Sequence, residues 1–405
     1  MSDSDSHSHE RAGSAARGAS RLAFEAVTEV ARIVEGMHSN IAAAPLPLGE
    51  GTDGRTGGIT RLVYDGIRNV TGALGYGVDQ ALAVLDQVPQ AGTPLPQPRW
   101  DAVASAVNGV LGDHLVARQN PLAIQMQLRR AAQPLEPGQA IGPRPLLLIH
   151  GLCMNDREWR RHGHDHGAAL AEDLGFTPLY LFYNTGLHIS ENGRALADRL
   201  ELHFGEIKSG ETASPIEELT IIGHSMGGLV ARSAYEYAQE RGHTWPRKLG
   251  RIVFLGSPHH GAPLERIGNW ALGLAEMSPY IAPLARLGML RSAGISDLRH
   301  GSLLDEDWEG HHPRVKADRR APTGLPHDVT CYAIAGTLQA PHGTPGLGFV
   351  GDGLVPLKSA LGQHEDPERE LTFPDGHQAI FPGIGHLDLL SRQEVYEQIR
   401  VWLAE

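Results

Sequence analysis

The chain has 405 residues and a formal net charge of −12, from 35 Lys and Arg against 47 Asp and Glu. A chain of this length can bury a large core and is expected to form two or three domains. The acidic balance argues against nonspecific nucleic-acid binding, which needs many cations for phosphate. Two cysteines, Cys153 and Cys331, exclude a disulfide scaffold and a cysteine-rich zinc module.

The N-terminal third carries no pattern that points to chemistry. Residues 1–20 are polar and predict a disordered tail without the apolar core of a signal peptide. Apolar residues then recur at spacings of three and four over 21–130, as at Val103, Val107 and Val110, which predicts three or four amphipathic helices. Such helices form a packing layer or a docking surface. They have no matching basic face, so membrane contact stays open but is not indicated.

A proline-rich linker over 133–145 precedes a different pattern. Short apolar runs alternate with helical segments, and the runs are 146–149, 179–182, 219–222, 252–255 and 329–335. Continuous apolar strands alternating with helices predict an α/β domain over 140–405, with a mostly parallel sheet covered on both faces. Active sites in such sheets lie beyond the carboxyl ends of the strands. No run of about 18 apolar residues predicts a membrane span, and a cytoplasmic location is expected.

The segment Gly223–Gly227 has the pattern G-x-S-x-G, with Ser225 at its centre. An apolar run precedes it and a helical pattern rich in small residues follows it. Glycines on both sides permit a tight turn from strand to helix that presents the serine hydroxyl above the sheet. Ser225 is therefore the predicted nucleophile.

A serine hydroxyl needs a general base, and in this topology an acid and then a histidine follow the serine. His386 lies in a glycine-containing loop before the predicted C-terminal helix 391–404 and is the preferred base. His377, close to a predicted strand over 368–373, is its competitor.

The acid should follow the strand predicted over 329–335. Asp352, between Gly351 and Gly353, has this position, and its carboxylate would orient the histidine. Asp375 and Asp305 are weaker alternatives.

Two backbone N–H groups should stabilise the developing oxyanion. One is expected from Met226, directly after the nucleophile, and the other from Leu152 in the segment His150-Gly151-Leu152. Cys153 lies beside this loop but has no nucleophile motif, so it is interpreted as a packing residue.

These motifs together resemble the α/β-hydrolase superfamily, and within it bacterial lipases and esterases and GPI inositol-deacylase-like proteins. The resemblance covers residues 140–405 and rests on HGL at 150–152, GHSMGG at 223–228, SPHHGAP at 257–263, DGLVP at 352–356 and GHLDLL at 385–390. It implies an α/β-hydrolase fold, a Ser225, Asp352 and His386 triad, and oxyanion donors at Leu152 and Met226. Some lipases of this type carry calcium or zinc, but no ligand set can be matched here residue by residue.

Three further segments allow two interpretations each. The run His162–His166 is a polar loop or a zinc ligand set, since alternating His and Asp supply suitable donors. His259 and His260 shape a pocket wall or ligate a metal. Residues 264–310 form a lid over an apolar acyl pocket or ordinary packing helices.

The predicted function is a serine hydrolase of lipid metabolism, of the lipase or esterase type, that cleaves carboxylic esters through an acyl-enzyme on Ser225. Its substrate is an acyl ester or lipid-like molecule, and the chemistry needs no cofactor and no metal. The alternatives are a thioesterase, amidase or acyltransferase with the same triad, and a non-catalytic binding protein on the same fold. The sequence does not indicate the oligomeric state.

Overall fold

The computed structural model describes residues 97–206, 216–262, 292–309, 320–338 and 351–405. In these ranges the strands form one sheet of eight, in the order β2-β1-β4-β3-β5-β6-β7-β8. The strands are β1 (Gln127–Arg130), β2 (Gln133–Pro134), β3 (Pro145–Ile149), β4 (Thr177–Phe182), β5 (Leu219–His224), β6 (Leu249–Leu255), β7 (Thr330–Thr337) and β8 (Gln378–Pro382). From β4 to β8 every neighbouring pair is parallel, whereas β1 pairs antiparallel with both β2 and β4.

In the described ranges, α-helices alternate with the strands from β3 onwards, and one helix precedes β1. They are α1 (Gln97–Ala117), α2 (His166–Leu174), α3 (Ile189–Phe204), α4 (Met226–Glu240), α5 (Ala293–His300), α6 (Leu357–Ala360) and α7 (Gln393–Ala404). Helices α3 and α4 pack against each other on one face of the sheet, and α2 and α7 cover the other. Among these helices, none has the length and apolar character needed to cross a membrane.

Strand β3 shows why the sheet needs two helical layers. All its residues are buried, and successive side chains of a strand point to opposite faces. Leu147 and Ile149 join the core cluster under α3 and α4, whereas Leu146 and Leu148 join the cluster under α2 and α7. A strand that is apolar on both faces has to be covered on both. The predicted mostly parallel sheet with helices on both faces is confirmed.

The sheet begins earlier than the sequence pattern predicts. Gln127–Arg130 was expected at the end of a helical segment but is strand β1, and Gln133–Pro134 in the expected linker is β2. The helix predicted around Val107 is α1. The expected tail over 1–20 and the helices predicted before residue 97 lie outside the described residues, as do residues 264–291 and 310 of the predicted lid.

A buried ion-pair cluster connects the first helix and strand to the loop after β3. Arg129 Nη1 lies 3.1 Å from Asp101 Oδ2 and 3.0 Å from Asp156 Oδ1. The Arg129 guanidinium also lies 3.6 Å from the centre of the Phe182 ring. Two carboxylates and an aromatic face compensate for the burial of this cation, which is otherwise costly. A buried arginine explains why the strand lacks an apolar pattern.

Near the far end of the sheet, the prediction of a strand over 368–373 is wrong. The structure places no strand there, and the last strand is β8, about ten residues later. Its residues alternate between exposed and half-buried, because β8 is an edge strand. The apolar run in β8 is only Ala379–Phe381, shorter than the runs of the inner strands.

A substitution at Asn108 tests whether α1 is an integral part of this domain. Its side chain is buried, donates to the carbonyls of Ala104 and Leu122 (both 2.8 Å) and accepts from Ile124 N (2.9 Å). Asn108→Ala should lower the free energy of unfolding by about 2–4 kcal/mol, because it leaves buried polar groups unpaired. Urea denaturation measures the change.

The control on the same helix is Val116→Ala, because Val116 is 41% exposed. It should change the free energy of unfolding by no more than about 0.5 kcal/mol. If Asn108→Ala were as mild as this control, α1 would not be part of the cooperative unit.

Candidate active site

Ser225 lies at the sharp turn between strand β5 and helix α4. Its backbone has φ 54° and ψ −121°, a conformation that L-residues rarely adopt. Its N–H donates to the carbonyl of Leu255 at the end of β6, 2.9 Å away. The turn is thereby anchored to the next strand.

The glycines around Ser225 are required by close packing. A Cβ on Gly223 would lie 2.6 Å from Gly228 Cα, and one on Gly227 would lie 2.1 Å from the carbonyl oxygen of Ile149. Such distances are too short for real contacts, so any side chain at these positions would displace the backbone. The G-x-S-x-G spacing thus permits the turn in the way that the sequence predicts.

Asp352 and His386 form a buried pair. His386 Nδ1 donates to Asp352 Oδ2 over 2.7 Å, and both side chains are almost completely buried. The other oxygen of Asp352 accepts from the N–H groups of Leu354 (3.0 Å) and Val355 (2.8 Å). A second link joins the two loops, since His386 N donates to the Asp352 carbonyl over 3.0 Å. With its proton on Nδ1, a neutral His386 has an Nε2 that can accept a proton.

Ser225 and His386 line one small cavity. The remaining walls are apolar or glycine and come from several loops and from helix α5: Gly151, Leu152, Met154, Pro258, Ala262, Leu298, Leu354 and Val355. An apolar cavity with a few convergent polar groups is typical of a small-molecule site. The structure therefore brings Ser225, Asp352, His386 and Leu152 together.

The loop after β3 approaches the serine closely. A Cβ on Gly151 would lie 3.0 Å from Ser225 Cβ, so glycine permits the approach. Leu152 lines the cavity. It lies in a turn in which the Met154 N–H donates to the Gly151 carbonyl over 3.3 Å. Met226 is the first residue of α4, and the N–H groups of a helix's first turn have no partner within the helix. Both positions predicted as oxyanion donors thus adjoin Ser225.

His224 is a site residue that the sequence analysis missed. It is buried, and its Nε2 donates to the carbonyl of His386 over 3.1 Å. Burial, together with the neighbouring His386, holds the pKa of His224 well below its usual value, so the ring is neutral. His224 thereby ties the nucleophile turn to the histidine loop. Its position within G-x-S-x-G was the available signal.

Gly256 is a second residue that was missed. It has φ +57° and follows strand β6. A Cβ there would lie 2.8 Å from Leu389 Cδ1 and 3.0 Å from Asp352 Oδ2. Glycine therefore leaves room for the Asp352 and His386 pair, and no local sequence motif indicates this role.

The alternative candidates for the acid and the base lie elsewhere in the fold. His377 Nδ1 lies 3.2 Å from the Cys331 carbonyl, and its ring packs against Tyr332. Asp375 is exposed, and Asp305 pairs with Arg194. None of these three candidates lines the cavity that contains Ser225.

One histidine of the run over 162–166 forms a hydrogen bond with a residue close to His386 in the sequence. His166 is buried, and its Nε2 donates to the carbonyl of Leu389 over 2.9 Å. Its Nδ1 then accepts from His164 Nε2 over 2.8 Å. Burial lowers the pKa of His166 to about 4. Across the part of the chain that the structure describes, no group of three or more His, Cys, Asp or Glu side chains could hold a metal ion.

A mostly parallel sheet whose strand β5 turns sharply into α4 at a G-x-S-x-G serine defines an α/β-hydrolase fold. Within that class, residues 140–320 match the family model described as PGAP1-like alpha/beta domain. The predicted resemblance to the superfamily is confirmed. No curated protein sequence matches the chain.

Solved structures of lipases and esterases are similar at low identity. The mature lipase BlEst2 of Bacillus licheniformis is 17% identical with a TM-score of 0.39, over 69% of this chain and 97% of that one. The thermophilic esterase of Thermogutta terrifontis is 16% identical with a TM-score of 0.36, over 69% and 93%. The hyperthermophilic esterase of Pyrobaculum calidifontis is 12% identical with a TM-score of 0.39, over 73% and 87%.

The two cysteines should be unreactive in the native protein. Cys153 and Cys331 are 1% and 3% exposed, and a Cβ on Gly109 of α1 would lie 2.2 Å from Cys153 Sγ. Burial raises the pKa of the Cys153 thiol far above its usual value and that of Cys331 to about 12. Because the thiolate is the reactive form, a chromogenic disulfide reagent at pH 8 should label neither thiol before denaturation and both after it. Rapid native labelling of Cys153 would contradict its role in packing.

Proposed function

We propose that the protein is a serine hydrolase of carboxylic esters, of the lipase or esterase type. The observation that carries the proposal is the 2.7 Å hydrogen bond from His386 to Asp352 at the cavity that also contains Ser225. A nucleophile, a base and an orienting acid at one cavity are the set that acyl transfer requires.

In the proposed reaction, Ser225 Oγ attacks the ester carbonyl while His386 Nε2 takes the hydroxyl proton. Asp352 holds the Nδ1–H tautomer and stabilises the imidazolium. The carbonyl oxygen becomes an oxyanion, which accepts from the N–H groups of Leu152 and Met226. Each such donor contributes about 3 kcal/mol to lowering the barrier.

Collapse of the tetrahedral intermediate breaks the bond to the alcohol, which leaves with the proton from His386. The acyl group stays on Ser225 as an ester. Water then attacks this acyl-enzyme with His386 as base again, and the acid departs as the Ser225 hydroxyl re-forms. These steps use the chain's own groups, so we propose that neither cofactor nor metal takes part.

The cavity walls support an apolar substrate. Apart from Ser225 and His386, every lining residue is glycine or apolar, with Leu298 contributed by helix α5. We therefore propose an acyl ester or lipid-like substrate with an apolar acyl or alcohol part. Helix α5 lies in the described part of the proposed lid over 264–310. A cytoplasmic location stays a prediction.

Ser225→Ala should abolish ester hydrolysis, because it removes the group that forms the acyl-enzyme. Turnover of p-nitrophenyl esters from acetate to palmitate measures this for both proteins. Wild type should hydrolyse at least part of the series, with kcat/KM at least roughly 10³-fold above that of the variant. The preferred chain length distinguishes an esterase from a lipase. Wild type that hydrolyses no ester in the series would contradict the proposal.

Matched pairs of variants test the acid and the base. Asp352→Asn should lower kcat by roughly 10³- to 10⁴-fold, because an amide does not hold the His386 tautomer or stabilise the imidazolium, and His386→Gln should be at least as severe. The controls are Asp375→Asn and His377→Gln, which make the same changes at the competing residues. Both controls should keep kcat within about twofold. If a control variant lost more kcat than its partner, the control residue would be the catalytic acid or base instead.

A further inference from the structure

A second cavity lies across the loop 257–262 from the site described above. Pro258 lines the first cavity, whereas its neighbours His259 and His260 line the second. The second cavity is small and partly open to solvent. Helix α4, which begins at the nucleophile turn, contributes Arg232.

Arg232 is a buried cation with neutral partners. Its side chain is almost fully buried and donates to the carbonyls of Thr323 and Gly324 and to His259 Nδ1. Burial lowers the pKa of Arg232 to about 10, although the nearby carboxylate of Glu236 acts in the opposite direction, so the guanidinium is charged at neutral pH. In the described ranges no carboxylate lies within ion-pair distance of it, although buried charges are usually paired.

The hydrogen bond from Arg232 fixes the tautomer of His259. A guanidinium can only donate, so His259 Nδ1 accepts over 3.3 Å and the ring proton lies on Nε2. Burial holds the pKa of His259 well below its usual value, so the ring is neutral. Its Nε2–H and the Nε–H of Arg232 are both buried without an acceptor in the described part of the chain.

Other charged groups surround the same space. Arg320 and Arg369 line the cavity, and Arg320 Nη1 donates to the carbonyls of Gly301 (3.0 Å) and His259 (3.3 Å). The acidic side chain of the wall, Asp307, accepts from the backbone N–H groups of Leu303, Leu304 and Ala321. Arg369 also pairs with Asp366, since its Nε lies 3.4 Å from Asp366 Oδ2. The cavity wall itself carries three arginines and one carboxylate, and that carboxylate already accepts from backbone donors.

We propose that this second cavity binds a small oxyanion, either a phosphate group or a carboxylate. The Nε–H of Arg232 and the Nε2–H of His259 supply two buried donors, and Arg320 and Arg369 add positive charge. Guanidinium groups match the oxygen geometry of both anions. An oxyanion would satisfy both unpaired donors and neutralise Arg232. This site is separate from the Ser225 cavity and does not depend on the proposed ester hydrolysis.

The test is titration calorimetry of the full chain with inorganic phosphate and, separately, with acetate, at ionic strength held constant with sodium chloride. Wild type should bind at least one of the two. Arg320→Gln and Arg369→Gln should each weaken that binding by about tenfold, because each removes a cation from the wall. Arg247→Gln is the charge-matched control, since Arg247 is 72% exposed outside the cavity, and it should bind within twofold of wild type.

Hydrogen exchange on wild type locates the site without any substitution. The anion that binds should slow backbone exchange in 257–262 and 320–324, and Ser225→Ala should bind it as wild type does. Binding of phosphate alone assigns a phosphate group, and binding of acetate assigns a carboxylate. The proposal is overturned if neither anion binds, if Arg247→Gln weakens binding as much as the cavity variants do, or if exchange slows only elsewhere.

Discussion

The backbone strain at Ser225 is the constraint on which the rest of the site depends. A residue held at φ 54° costs about 1–3 kcal/mol, and it persists only where the surrounding structure holds it. Here the carbonyl of Leu255 accepts from the Ser225 N–H, and glycines let β5, α4 and the loop after β3 approach one another. Gly228 shows how tight this packing is, since a Cβ there would lie 2.0 Å from Ser257 Oγ.

The loops at the carboxyl ends of the strands are joined by hydrogen bonds to one another. His224, at the end of β5, donates to the carbonyl of His386 in the loop after β8, and His386 donates to Asp352 in the loop after β7. His166 adds support from α2 by donating to Leu389, three residues after His386. Each contact uses a neutral or paired group, so the relative positions of the loops do not depend on exposed charges. Such support is what preorganised catalytic geometry requires.

The sequence predicted the parts of the fold that a strong local pattern specifies. Continuous apolar runs predicted the inner strands, because a strand buried on both faces has no polar alternation. Strands towards the two ends of the sheet lack this signal: β1, next to the edge strand β2, contains a buried Arg129 whose compensating carboxylates come from other elements, and the edge strand β8 alternates between exposed and half-buried residues. The formation of both strands therefore depends on contacts with distant parts of the chain, which a local sequence pattern does not reveal.

The same distinction holds at the site. Ser225, Asp352 and His386 lie in recognisable motifs, and the structure brings them to one region. The contribution of His224 depends on the carbonyl of a residue far along the chain, and that of Gly256 depends on the space that the Asp352 and His386 pair needs. The second cavity is similar, because Arg232 follows an ordinary helical pattern. Only the fold places it beside His259, with no carboxylate within ion-pair distance among the described residues.

The most direct test of a reactive serine is covalent labelling of the native chain by a fluorophosphonate probe, followed by mass spectrometry of the intact protein and its peptides. The account predicts one probe per chain, attached to Ser225, and greatly slowed labelling in His386→Gln, because the serine then lacks its base. Attachment to another residue, or no attachment to a folded wild-type chain, would contradict the account.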